Sequence, residues 1–219
     1  MSAIAYPEEF IRRFLGQPIE FERGVTRMED LPDADRPEVA FAGRSNVGKS
    51  SLVNAAVNRT HLARASSEPG RTRELNFFKI GDRFRIVDLP GYGYAKAPKT
   101  EIERWTRLTR DYLRGRPGLT RVFLLIDSRH GLKEPDLAVM KTLDEAAVVY
   151  QIVLTKADKP KETELAATIA ATAAAVARRP AAHPHILAAS AHKGDGLDAL
   201  RSEMLALAGI PLPEPEDPT

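Results

Sequence analysis

Val39-Ala40-Phe41-Ala42-Gly43-Arg44-Ser45-Asn46-Val47-Gly48-Lys49-Ser50 is the stretch that decides the fold. Four residues of buried-strand character run into Gly-x-x-x-x-Gly-Lys-Ser, and a helical pattern, 49–58, follows at once. That context gives the motif its weight. A glycine-rich turn between strand and helix lets main-chain N–H groups, here those of residues 43–50, point inward around phosphate oxygens. The N-terminal end of the helix adds its positive dipole end. Lys49 is expected to reach the β- and γ-phosphates, and the Ser50 hydroxyl to bind Mg²⁺. The competing reading is a glycine-rich turn with a chance lysine, and the motifs downstream weigh against it.

Outward from this loop, short β-rich runs alternate with longer helical patterns. Strands are expected at 38–42, 75–80, 84–88, 121–127, 150–155 and 185–189, and helices at 49–58, 99–114, 135–147, 161–179 and 196–208. Several strands are unbroken apolar runs, as strands buried on both faces should be. The pattern predicts a three-layer α/β fold with helices on both faces of a mostly parallel sheet. Gly81-Asp82 reads as a tight hairpin turn and so predicts one antiparallel strand at an edge. Residues 21–28 have the character of an extra strand ahead of the first phosphate-loop strand, residues 1–20 of an arm with a short helix, and 210–219 of an acidic, proline-rich, disordered tail.

Four further stations fall in chain order. Asp88-Leu89-Pro90-Gly91 ends the 84–88 strand, 38 residues beyond Ser50. A carboxylate there can hold Mg²⁺ through water, and the Gly91 N–H can approach a γ-phosphate. Pro69-Gly70-Arg71-Thr72, followed by Arg73 and Glu74, lies in the loop before the hairpin, and Thr72 is the candidate to complete the Mg²⁺ shell in a switching loop. Thr155-Lys156-Ala157-Asp158 ends another strand. Asp158 can accept two hydrogen bonds from guanine N1–H and N2–H₂, a donor pair that adenine lacks, while the Lys156 stem lies over the base with its ammonium solvated. Ala189-Ser190-Ala191 ends the last strand, and the Ala191 N–H can donate to guanine O6. The stations together indicate a GTP/GDP site. The candidates for direct participation in hydrolysis are Lys49, Asn46, Thr72 and Gly91.

Composition agrees. The chain has 219 residues, enough for one sizeable core. It contains no cysteine, which excludes disulfides and thiolate metal sites and suits a reducing cytoplasm. Lys and Arg number 32 against 30 Asp and Glu, so net charge does not signal nucleic-acid binding. The longest pure apolar run is 122–126, far short of a membrane span, and the N-terminus lacks a secretory pattern.

With these residues in view, the sequence resembles the EngB (YihA/YsxC) family of bacterial GTPases, of the TRAFAC class. The resemblance runs over roughly residues 20–208 and is carried by 37–52, by Pro69-Gly70-Arg71-Thr72 with Asn76-Phe77-Phe78, by 88–95, by Thr155-Lys156-Ala157-Asp158 and by Ser190-Ala191. It implies a GTPase needed for assembly of the large ribosomal subunit and for normal cell division and septation. Thr155 stands where asparagine is usual in GTPases outside the family, and the family commonly has threonine there.

Tyr92 follows Gly91 where Ras-type enzymes place a water-orienting glutamine, so intrinsic turnover is expected to be slow, near or below about 10⁻³ s⁻¹. In related GTPases an asparagine at the position of Asn46 helps to bind K⁺ beside the phosphates, and K⁺ stimulation is expected here. The alternative is that Asn46 merely braces the loop. Lys96, Lys99, Arg104, Arg107, Arg110, Arg114, Arg116 and Arg121 form a candidate rRNA-facing patch, against a plain solvated helix face. Trp105 reads as a packing anchor, and His183 and His185 as packing or surface histidines rather than metal ligands. The chain is expected to be a cytoplasmic monomer. A division scaffold that uses nucleotide structurally and a small-molecule kinase are the competing functions; the guanine-reading residues argue against the second.

Overall fold

A computed structural model describes residues 5–60, 62, 74–92 and 99–213, with the main chain alone for 99–106. In chain order the elements are α1 (Glu8–Leu15), β1 (Ile19–Val25), β2 (Glu38–Gly43), α2 (Lys49–Ala56), β3 (Leu75–Ile80), β4 (Phe84–Asp88), α3 (Lys99–Gly115), β5 (Leu119–Asp127), α4 (Glu134–Glu145), β6 (Tyr150–Thr155), α5 (Glu162–Val176), β7 (Leu187–Ala188) and α6 (Leu197–Leu207). The strands form one seven-stranded sheet in the order β1-β3-β4-β2-β5-β6-β7.

From β4 to β7 every neighbouring pair is parallel, while β3 runs against both β1 and β4. The hairpin at Gly81-Asp82 therefore reverses one strand, as expected, but that strand is not at the edge. Residues 19–25 pair along its outer side and take the edge themselves.

Alternation along the strands sends side chains to two cores. Val39 and Phe41 of β2, with Phe123 and Leu125 of β5, face α1, α2 and α6. Ala40 and Ala42, with Val122, Leu124 and Ile126, face α3, α4 and α5. Residue i and residue i+2 share a face, so a run such as 122–126 must be apolar throughout to fill both.

The N-terminal segment belongs to the first of these cores. Ile11, Phe14 and Leu15 are buried. An aromatic file, Tyr6, Phe10, Phe14 and Phe84, stacks with ring centroids 5.7, 6.4 and 6.3 Å apart. The Tyr6 hydroxyl donates to the carbonyl of Ile210 at 2.5 Å, and the Tyr6 amide donates to Ser202 Oγ at 3.2 Å. The N-terminal segment is thereby tied to α6 and to the residues just after it.

At the end of the sheet away from the phosphate loop, Glu38 is fully buried. A buried carboxylate needs partners. Arg116 supplies two hydrogen bonds, at 2.9 and 2.5 Å, and the Tyr112 hydroxyl a third at 3.0 Å. Arg85, itself buried, bonds Glu22 at 2.7 Å and Asp35 at 2.6 Å. Arg121 bonds Gln151 and Glu203 at 2.8 and 2.7 Å. Arg116 and Arg121 therefore leave the expected basic patch: ion pairs within the fold consume them. Arg107, Arg110 and Arg114 remain exposed, three and four residues apart along α3. Lys96 and the side chains of Lys99, Arg104 and Trp105 lie outside the described residues.

Candidate nucleotide-binding site

The C-terminal ends of parallel strands β2, β4, β5 and β6 share one rim of the sheet, the position where open α/β sheets bind ligands. β2 delivers the glycine-rich loop. Gly48 precedes α2 with φ of 95°, a left-handed conformation that glycine adopts without strain. A Cβ there would stand 3.4 Å from Lys156 Cε, an ordinary contact, so it is the backbone conformation rather than space that favours glycine. Lys49 opens α2 and ion-pairs with Asp88 at the end of β4. That contact puts the carboxylate of Asp88 beside the first turn that carries Ser50.

β6 and the loop after β7 build a second pocket. The Ser190 hydroxyl donates to Asp158 Oδ1 at 2.7 Å and accepts the amides of His192 and Lys193 at 3.3 and 3.0 Å. Ser190 thus fixes the carboxylate and folds the loop after it in one set of bonds. Its hydroxyl, with Lys159 behind it, holds the Asp158 carboxyl below the ordinary carboxylate range, which keeps it an acceptor at neutral pH. Each oxygen retains a second lone-pair direction for a base N–H. The Ala157 amide donates to the Ala189 carbonyl at 3.2 Å, joining the two segments that frame the pocket.

Lys156 differs from expectation. It is in the left-handed region, φ of 56°, and its ammonium is not left to solvent. It donates to the Asn46 carbonyl at 2.9 Å and to Asp127 Oδ2 at 2.9 Å. A buried carboxylate on the adjacent strand and an unpaired carbonyl in the phosphate loop are better partners than water at that spot. Burial works to raise the pKa of Asp127, but hydrogen bonds from Arg129 and Lys156 outweigh it and hold the carboxyl well below its usual range. Thr155 Oγ1 donates to the Val47 carbonyl at 2.6 Å. The last residue of β6 and the one that follows it therefore fasten the phosphate loop.

The structure brings together residues 43–50, 88–91, 155–158 and 189–191. Glu74 is the residue just before β3. Gly70, Arg71, Thr72 and Arg73 lie outside the described residues.

A sequence profile described as 50S ribosome-binding GTPase matches residues 38–156, which span the phosphate loop, the Asp88–Gly91 segment and the start of the Thr155–Asp158 segment. The Probable GTP-binding protein EngB of Caulobacter vibrioides is 55% identical over 199 residues, covering 91% of this chain and 87% of that relative. Its counterpart from Hyphomonas neptunium is 52% identical over 217 residues, covering 95% and 99%. The chain belongs to the EngB family of GTP-binding proteins. A crystal structure of a probable GTP-binding protein engB superimposes with a TM-score of 0.60 at 22% identity, covering 78% of this chain and 98% of that one. Era in complex with MgGDPNP and nucleotides 1506–1542 of 16S ribosomal RNA shares the fold, with a TM-score of 0.60 at 23% identity, covering 83% and 59%. As an EngB-family protein, the chain is a GTP hydrolase with a three-layer P-loop fold.

Two residues at the EngB-type site were not singled out by motif. Asp127 ends β5 beside Thr155 of β6, a position on the ligand-bearing rim that strand topology would have flagged. Asp136 lies in the first turn of α4, where locally it reads only as a helix-capping acid, its Oδ2 accepting the Lys133 amide at 2.9 Å. No signal near it in sequence announces its other partners. His183 and His185 meet edge to face, and burial lowers the pKa of His183. Among the described residues no three His, Cys, Asp or Glu side chains converge as a metal cage.

Proposed function

We propose that this chain is a slow, Mg²⁺-dependent GTPase switch that acts on the large ribosomal subunit or its precursor, in the cytoplasm and as a monomer, and through that role supports normal septation. The observation that carries the proposal is the match to the 50S ribosome-binding GTPase family across the strands that build the pocket. The fold's likeness to a GTPase solved with 16S ribosomal RNA supports an RNA-containing partner, though not the choice of subunit, and the exposed Arg107, Arg110 and Arg114 file on α3 offers cations to its phosphates. α3 is also the first described element after the Asp88–Gly91 segment, a placement suited to reporting the nucleotide state to a partner.

Hard oxygen donors suit Mg²⁺, and Asp88 reaches the helix turn of Ser50, so this donor set fits the ion. Ser50 would hold it directly and Asp88 through water, with Thr72 completing the shell. Bound there, Mg²⁺ supplies charge neutralisation on the phosphate oxygens. Lys49 then exchanges Asp88 for phosphate oxygens, a swap of one anionic partner for another that keeps the ammonium paired. Asp158 reads the guanine edge, and the loop after Ser190 offers its amides to O6. Asn46 contributes only its carbonyl to the Lys156 brace, and its side chain is assigned to K⁺; equal turnover in K⁺ and Na⁺, with and without ribosomal particles, contradicts that assignment.

Sedimentation with purified large subunits and their precursors tests the function. GTP-dependent association at stated salt is expected. Association that ignores nucleotide, or none in either state, contradicts the switch and favours a scaffold role.

A further inference from the structure

Asp136 is completely buried, and three groups from different parts of the chain converge on it. Arg44 Nε donates to Oδ1 at 3.0 Å, the Tyr92 hydroxyl donates to the same oxygen at 2.8 Å, and the Lys133 amide holds Oδ2 at 2.9 Å. With both oxygens engaged the carboxylate is locked in orientation. Its two distant partners are also joined through their main chains. The Ser45 amide donates to the Tyr92 carbonyl, and the Tyr92 amide donates to the Gly43 carbonyl, each at 3.2 Å, which makes Arg44 and Tyr92 a parallel bridge. Tyr92 is thus fastened to the phosphate loop twice, once by backbone and once through the carboxylate it shares with Arg44.

Gly91 precedes Tyr92 directly. A Cβ on Gly91 would stand 3.3 Å from Ser45 Oγ and 3.5 Å from Ser45 N, so its main chain lies flat against the loop. The hydroxyl of Tyr92 is directed to Asp136 on α4, which leaves the Gly91 amide as the group this segment offers to a γ-phosphate. A donor held in place beforehand loses little freedom when the ligand arrives. We propose that Tyr92, acting through Asp136 and Arg44, is a positioning residue that presets the Gly91 amide and thereby raises the affinity for triphosphate relative to diphosphate. This rests on the guanine-nucleotide reading above. A diphosphate lacks the group that Gly91 would meet, so it is indifferent to the latch.

Tyr92→Phe keeps the ring and removes only the hydroxyl. Dissociation constants of fluorescent GDP and a non-hydrolysable fluorescent GTP analogue, measured with melting temperatures, test the idea. The analogue's constant is expected to rise about tenfold or more, the effect of losing one hydrogen bond to a charged group, while that for GDP moves less than about twofold. Asp136→Asn, which keeps the shape and removes the charge, is expected to move the ratio the same way; if it does not fold, Tyr92→Phe alone carries the test. A purely structural role would weaken both nucleotides together in step with the melting temperature. Tight GDP binding with an unchanged analogue-to-GDP ratio overturns the proposal alone. A wild-type protein that binds neither nucleotide overturns the guanine-nucleotide reading, and this inference with it.

Discussion

The hydroxyl of Thr155 lies 2.6 Å from the carbonyl oxygen of Val47, a buried hydrogen bond that spans 108 residues of sequence. It joins the strand that leads to Asp158, the proposed reader of the base, to the glycine-rich loop proposed to hold phosphate. Recognition of purine and recognition of phosphate are therefore parts of one rigid unit. Thr155→Val preserves shape and removes the donor, leaving the Val47 carbonyl with one partner fewer. Affinity for GDP and for a GTP analogue is expected to fall together, about fivefold to tenfold, equivalent to roughly 1 kcal/mol. Calorimetric titration checks this; unchanged affinity would show the loop to be held elsewhere.

Ser190→Ala removes the one group that both orients Asp158 and caps the following loop. Two amides, those of His192 and Lys193, lose their acceptor along with it. The preference for GDP over IDP, which lacks the N2 amino group, is expected to shrink about tenfold, the effect of one hydrogen bond to a charged group. A variant that keeps the full preference would place the orientation of Asp158 with Lys159 instead.

Asp127 gives a pH dependence with a definite sign. Its folded pKa lies below the unfolded value because Arg129 and Lys156 outweigh the effect of burial. Its contribution to stability is complete above the ordinary carboxylate range and is lost as pH falls below about 4 and on through the folded value. The melting temperature of the wild type is expected to drop over that acid window, and Asp127→Asn to be less stable at neutral pH with a flatter acid limb. Parallel acid limbs in the two proteins would remove Asp127 from the account.

Much of this was legible from residues in sequence. The apolar runs of β2, β4, β5 and β6 declare strands buried on both faces, and the motif stations fall at their C-terminal ends because loops there carry the ligand-facing groups. What escaped is pairing across distance. Arg116 and Arg121 read locally as surface cations, yet they pair with Glu38 and Glu203, 78 and 82 residues away. Asp136 is a helix cap by local pattern and a latch only because folding delivers Arg44 and Tyr92 to it, from 92 and 44 residues away. The edge position of β1 likewise depends on pairing with β3, which no periodicity in 19–25 announces.

Among the described side chains of α3, Arg107, Arg110 and Arg114 are exposed cations without an ion-pair partner. Charge reversal of all three to Glu is expected to abolish GTP-dependent association with large-subunit particles and to leave GDP affinity within about twofold of wild type. Fewer phosphate contacts also mean a shallower dependence of binding on salt for single substitutions, by roughly one unit of log–log slope for each arginine removed. Particle binding that survives the triple reversal would move the interface away from α3.

Asp158, held by Ser190, is the proposed source of guanine specificity, and calorimetry in Mg²⁺ buffer tests that role most directly. GDP is expected to bind at least about 100-fold more tightly than ADP, since buried polar groups left unpaired by the wrong base oppose binding. Asp158→Asn is expected to lose GDP and to favour XDP, whose C2 carbonyl complements an amide donor. Equal affinity for guanosine and adenosine diphosphates, or GDP binding untouched by Asp158→Asn, would contradict it.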